Sequence, residues 1–284
     1  MSAAVVLDAA AVAVAVAAPA AAPAAGASAS VIAERHGTRS ELGEAWFIHG
    51  MLEDEHSWKQ LEQAMDCALS VRPHFPWSAK FGADWAIERG GAEWIGAFAD
   101  RRAHMPRIIV CHSYGCNAML EYLLRDGQPQ PEILVLVSPF YQAARADVSW
   151  DVLTGLIGGL ERLIGESIAA QDARKRYTGD LLADMVRRVR DRLGVYGWAE
   201  FLRLFLRSPD LPLHKLHSRT LVVSGAGDYY SRHERNRELA AAIPGASHLH
   251  FEDGGHFVQQ THSQALARAI SDFSNHSFDL NEAL

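Results

Sequence analysis

The sequence predicts an α/β chain: a mainly parallel, doubly wound sheet with helices on both faces and an inserted helical cap. Three observations predict it. Short apolar runs recur along the chain, several of them continuous, as in strands buried on both faces. Stretches of helical periodicity separate these runs. One interval, residues 143–216, breaks the alternation and carries helical periodicity alone.

Taken in order, residues 1–30 form an Ala/Pro-rich leader. Ala9 to Ala25 is almost wholly alanine and valine, broken by Pro19 and Pro23. The first basic residue is Arg35, so the basic start of an export signal is missing. Alanine interrupted by two prolines does not make the run of about 20 strongly apolar residues that a membrane span needs. A flexible leader is expected. The core is assigned to residues 31–142 and 217–276, the cap to 143–216, and a short polar tail to 277–284. Predicted strands are Trp46–Ile48, Leu69–Val71, Ile108–Cys111, Ile133–Val137, Leu221–Ser224 and His248–Phe251. Cys116, Met119, Leu120, Leu123 and Leu124 mark one face of a helix that stops at Gly127 and Pro129. Ser231 with Glu234, and Thr261 with Gln264, match capping boxes that would open two more helices. Leu266, Ala269, Ile270 and Phe273 make the stripe of the last. Within the cap, three stripes appear: Leu153 to Ile164, Leu181 to Val189, and Phe201 to Phe205. Arg187, Arg188, Arg190 and Arg192 read as a solvated helix face in preference to an anion site.

Composition narrows the function classes. There are 27 basic and 34 acidic side chains, a formal charge of -7, and no dense basic stripe, which argues against nucleic acid as partner. Three cysteines, Cys67, Cys111 and Cys116, are too few and too irregularly spaced for a disulfide scaffold or a zinc site. A reducing, cytoplasmic compartment is expected. No phosphate-binding glycine loop, paired metal carboxylates or dinucleotide fingerprint is visible, so no cofactor or metal is expected. Gly225-Ala226-Gly227 lacks the third glycine of the dinucleotide pattern.

The strongest local signal is Cys111-His112-Ser113-Tyr114-Gly115, between the apolar run Ile108–Val110 and a helical pattern. A sharp strand-to-helix turn lifts its central side chain above the sheet, and its crowded neighbours two residues away must be small. Gly115 meets that demand, and Cys111 is small enough to do so. Upstream, Trp46-Phe47-Ile48 runs into His49-Gly50-Met51, where glycine lets a following N–H point into a cleft. With the N–H of Tyr114, it would make a pair of donors for a developing oxyanion. Downstream, Gly225-Ala226-Gly227-Asp228 puts a carboxylate just past one strand, and Gly254-Gly255-His256-Phe257 puts a histidine past another.

In these motifs and their order, nucleophile then acid then base, the chain resembles the α/β-hydrolase superfamily, particularly its capped serine hydrolases, over roughly His49 to Phe273. The resemblance implies Ser113 as nucleophile, His256 as general base and Asp228 as the acid orienting it, with Met51 and Tyr114 supplying the oxyanion hole. Two departures stand out. Cys111 replaces a usual glycine, and fewer than twenty residues separate the leader from His49. The antiparallel hairpin at the start of the sheet is therefore shortened or absent, with Val31–Glu34 as its remnant.

Other candidates for these roles read as structural. His112 is a packing or hydrogen-bonding neighbour, His49 shapes its turn, and His248 and His250 lie on a strand. The rival position for the acid reads Val137-Ser138-Pro139-Phe140-Tyr141 and holds no carboxylate. The implied activity is hydrolysis of an ester or thioester of a small, mostly apolar substrate. A carbon–carbon hydrolase, a lyase or an acyl transferase would use the same triad, and a ligand-binding protein would keep the fold alone. The cap should choose the substrate, with Trp150, Tyr196, Trp198 and Phe201 lining a cleft above Ser113.

Overall fold

A computed structural model describes residues 30–78, 84–171, 177 and 179–275. The leader other than Ser30, and the tail, lie outside the described residues. The strands are β1 Ser30–His36, β2 Arg39–Ile48, β3 Cys67–His74, β4 Ile108–His112, β5 Ile133–Val137, β6 Arg219–Gly225 and β7 Ser247–Phe251. The helices are α1 Lys59–Met65, α2 Trp85–Glu88, α3 Gly91–Ala99, α4 Tyr114–Leu123 and α5 Trp150–Gln171. They continue with α6 Gly179–Arg207, α7 His233–Ala242, α8 Val258–Thr261 and α9 Ser263–Ser274. The strands form one sheet in the order β1-β3-β2-β4-β5-β6-β7. β1 pairs antiparallel with β3, and the other neighbours are parallel.

The apolar runs explain this layering. β4 and β5 are buried along their whole length, and alternate side chains feed opposite cores. Ile109, Cys111, Leu134, Leu136 and Val222 join one core with Ile95 of α3, Met119 of α4 and Leu239 of α7. Ile108, Val110, Ile133, Val135 and Leu221 join the other with Leu61 of α1 and Leu266 and Ile270 of α9. The doubly wound sheet expected from the alternation is therefore present, with a helical insertion between β5 and β6. The insertion holds α5 and α6, and Gly194, at φ 63° and ψ 174°, breaks α6 into two helical halves. Among the described residues, no helix is long and apolar enough to cross a membrane.

Three local expectations change. The stretch at Val31–Glu34 belongs to β1, a full strand that pairs antiparallel with β3 from Leu69 to His74 before the chain enters β2. What remains of the hairpin is thus one antiparallel edge strand. The capping box at Ser231 does not form, because its hydroxyl donates to Pro139 O at 2.6 Å and α7 begins without a side-chain cap. At Thr261 the hydroxyl donates back to Phe257 O at 3.1 Å, and α9 starts two residues later, at Ser263.

The site is positioned by strand order. β2 lies between β3 and β4, so the chain leaves β2 on one side and returns on the other. The C-terminal ends of β2 and β4 thereby open a crevice, the place where sheets of this kind bind ligands.

Candidate active site

Ser113 follows the last residue of β4 at φ 53° and ψ -124°, and α4 starts at the next residue. Positive φ on a residue with a side chain costs about 1–3 kcal/mol, so packing on every side must hold it. Gly115 shows how tight that packing is. A Cβ there would lie 2.6 Å from His49 O, too close for any other residue. Cys111 occupies the other small position, fully buried in the sheet core. Burial raises the thiols of Cys111 and Cys116 well above their usual range, which leaves them unreactive.

His256 and Asp228 complete a line of hydrogen bonds. His256 Nε2 lies 3.0 Å from Ser113 Oγ, and His256 Nδ1 lies 2.8 Å from Asp228 Oδ2. All three residues are buried. The other carboxylate oxygen of Asp228 accepts from Tyr230 N at 3.0 Å and Ser231 N at 2.9 Å, which fixes the carboxylate plane. Burial alone would raise this carboxyl, but His256 beside it outweighs burial and holds it below its usual range. The same contact works in reverse on His256. Burial disfavours its charged form, yet the charge and hydrogen bond of Asp228 raise it above the ordinary imidazole value.

On the opposite wall, the loop after β2 turns at Gly50 and again at Leu52, whose φ is 67°. A Cβ on Gly50 would sit 2.6 Å from a carboxylate oxygen of Glu53 and 2.9 Å from His112 Nδ1, so any other residue would have to displace these side chains. His49 is buried under this turn, with Nδ1 2.8 Å from Gly50 O and Nε2 accepting from Phe75 N at 3.1 Å. Met51 and Tyr114 both border the cleft, and no acceptor for either backbone N–H is found among the described residues.

The cleft itself is a narrow cavity of about 40 Å³ between the triad and the cap. Its walls are Leu156, Leu160, Leu163 and Ile164 of α5, Leu193, Trp198 and Phe201 of α6, and Phe140, Tyr230 and Phe257 of the core. Trp198 stacks on Phe201 at 4.8 Å, and Phe201 meets Phe140 edge-on at 4.7 Å. Two expected lining residues are corrected. Trp150 is the first residue of α5 and is 81% exposed, while Tyr196 follows the break at Gly194 and is 56% exposed. Both sit where a helix end points their rings outward. A larger groove of about 600 Å³ between α3, α4 and α6 contains none of the three triad residues. Its charges largely satisfy one another, as in Arg203 with Glu121 and Glu200.

Some of the site was not anticipated. The cap stripes are wide enough to roof a cleft, but the lining residues named from sequence are all aromatic, whereas Leu156, Leu160, Leu163 and Ile164 of α5 supply much of the roof. Tyr230 was missed as well, although its hydroxyl takes Leu163 N at 3.2 Å and so joins the roof to the Asp228 loop. Its proximity to Asp228 was the available signal. Among the described residues, the ligand atoms of Asp54, Glu55 and His56 lie within 4.8 Å of one another. Asp54 caps the turn there and Glu55 pairs with His74 at 3.0 Å, so the group is explained without an ion.

Comparison with known proteins fits this geometry. A family model for the alpha/beta hydrolase family matches residues 70–269. An esterase from Exiguobacterium antarcticum superposes with a TM-score of 0.61 at 14% identity, over 86% of this chain and 94% of its own. A bromoperoxidase from Bacillus anthracis gives 0.58 at 16%, over 86% and 94%. A thioesterase domain from the curacin biosynthetic pathway gives 0.55 at 16%, over 84% and 93%. No curated protein matches the chain by sequence. At such identities the solved structures speak for the fold alone, and the family model covers most of the chain: it belongs to the alpha/beta hydrolase family.

Proposed function

We propose that the chain is a serine hydrolase that cleaves an ester or thioester of a small, mostly apolar substrate through an acyl-enzyme on Ser113. The observation that carries this reading is the unbroken line Ser113–His256–Asp228 opening onto an apolar cleft. A serine hydroxyl is a weak nucleophile until a base takes its proton during attack. His256 Nε2 is in reach of that proton, and Asp228 fixes the tautomer and stabilises the imidazolium. As Ser113 Oγ bonds to the carbonyl carbon, the carbonyl oxygen gains the negative charge. The N–H groups of Met51 and Tyr114 would receive it, and losing one such donor typically costs a rate factor of about 100 to 1000. Collapse expels the alcohol or thiol, which takes the proton from His256. Water then attacks the acyl carbon while His256 again accepts a proton, releasing the acid and restoring Ser113.

The cap would select the acyl group. Its roof offers methyl and aromatic surface, which favours an apolar or aromatic acyl portion over a sugar or peptide. Cytoplasmic residence belongs to the same proposal, since Cys67, Cys111 and Cys116 are all unpaired and buried. The test is to trap the intermediate. Acid quenching during turnover of p-nitrophenyl butanoate should leave a butanoyl mass on the peptide containing Ser113. Turnover with no acyl mass on that peptide, under conditions where deacylation limits the rate, would exclude the mechanism.

A further inference from the structure

The triad leaves a second buried acid–imidazole pair unused. Glu53, three residues past Gly50, and His112, which precedes Ser113, are each 1% exposed. His112 Nδ1 lies 2.5 Å from Glu53 Oε2, and His112 Nε2 lies 2.9 Å from the carbonyl oxygen of His256. A backbone carbonyl only accepts, so Nε2 carries a proton. Glu53 meanwhile takes three other donors. Gly50 N donates to Oε2 at 2.7 Å, and the side-chain amides of Gln259 and Gln260 donate to Oε1 at 3.1 Å each. Donors surrounding one carboxylate stabilise its ionised form. An ionised carboxylate opposite Nδ1 calls for a proton on that nitrogen too.

We propose that His112 is a standing imidazolium paired with Glu53, and that this buried ion pair is the positioning element of the active site. It joins segments far apart in the chain at one point. Glu53 holds the turn at Gly50, which would aim the N–H of Met51. His112 holds the carbonyl of His256 while lying next to Ser113 at the turn from β4 into α4. Gln259 and Gln260 tie the first turn after His256 to the same carboxylate. The three groups that must meet a substrate are thus referred to one pair, within the sub-ångström tolerance that reaction geometry demands.

The surroundings leave the charge in place. The titratable groups facing the pair are His256, with ring centroids 4.9 Å apart, His49 behind Gly50, and the thiol of Cys116. Trp58 and Phe257 close the remaining sides of the imidazole at 6.5 and 5.4 Å. An uncompensated charge in that setting is costly, so removing either partner disturbs the other.

The catalytic consequence rests on the serine-hydrolase reading, but the charge of His112 can be read without turnover. In the full chain labelled with 15N-histidine, spectra at pH 8.5 should show an imidazole protonated on both nitrogens, as the acceptors facing Nδ1 and Nε2 require. Glu53→Gln should abolish that signal, and Asp228→Asn should leave it. No such signal in the parent protein, or one that survives Glu53→Gln, would overturn the ion pair. For the positioning role, kcat of folded Glu53→Gln should fall about 10- to 100-fold with KM within about twofold. An unchanged kcat would overturn that role. If Ser113 proved not to be the nucleophile, the spectra would still decide the charge of His112.

Discussion

Exchanging Asp228 for asparagine keeps the volume of the side chain and changes one chemical instruction. In the parent, Oδ1 accepts from Tyr230 N and Ser231 N, and Oδ2 faces His256 Nδ1 at 2.8 Å. The two backbone donors select the amide oxygen of asparagine for the first position. The amide nitrogen, a donor, then faces Nδ1. A donor opposite Nδ1 favours the imidazole tautomer protonated on Nε2, the nitrogen 3.0 Å from Ser113 Oγ. That nitrogen can no longer accept the serine proton. The same exchange in an established triad lowers kcat about 10,000-fold, which corresponds to about 5 kcal/mol of barrier. The fold should lose far less, about 1.5–3 kcal/mol for one charge-assisted hydrogen bond. Initial rates with p-nitrophenyl butanoate, paired with urea unfolding curves, separate the two effects. A folded Asp228→Asn protein with kcat within tenfold of the parent would refute the assignment, and the acid would have to be sought elsewhere.

Three further outcomes follow from the same geometry. Because Asp228 raises His256 above 6.5 and the base works deprotonated, kcat/KM should rise as pH climbs through a value above 6.5; full activity already at pH 5.5 would contradict this. Burial takes His49 down to about 4, and burial with His233 and His250 does the same to His248. Unfolded, both bind protons near about 6.5, so stability is complete above that pH and is lost as pH falls toward 4. His49 contributes about 3 kcal/mol to the loss and the partly exposed His248 about 1 after screening; equal urea stability at pH 7.5 and 4.5 would contradict it. In the cap, Phe201→Ala or Trp198→Ala should change the butanoate-to-octanoate ratio of kcat/KM by about tenfold, a few methylenes' worth of contact, while Trp150→Ala leaves it within about twofold. An equal shift from Trp150→Ala would remove the cleft from the argument.

How much could be read in the sequence depended on where each residue stands. β4 and β5 were legible because both faces are covered, which forces every position to be apolar. β1 was legible only in part, as Val31–Glu34, since an edge strand with exposed Glu34 and His36 shows no such run. The grouping of Ser113, Asp228 and His256 was legible because each lies just past the C-terminal end of a strand, Asp228 and His256 after glycine-rich turns and Ser113 at an abrupt helix start. The cleft lining was only half legible. An amphipathic stripe declares which face is apolar but not which of its residues line a cleft, so the roof was legible as a face while its aliphatic members on α5 were not. Ring size was a poor guide, as the outward Trp150 and Tyr196 show. Glu53 with His112 was invisible, because its partners are 59 residues apart and nothing local marks a buried acid.

The central claim is that Ser113 alone forms the covalent bond. Treating the full chain with a fluorophosphonate and weighing it intact measures that bond directly. The account predicts one adduct per chain, mapped to the peptide containing Ser113 and absent from Ser113→Ala. An adduct of the same mass on Ser113→Ala, or none on the active parent protein, would contradict it.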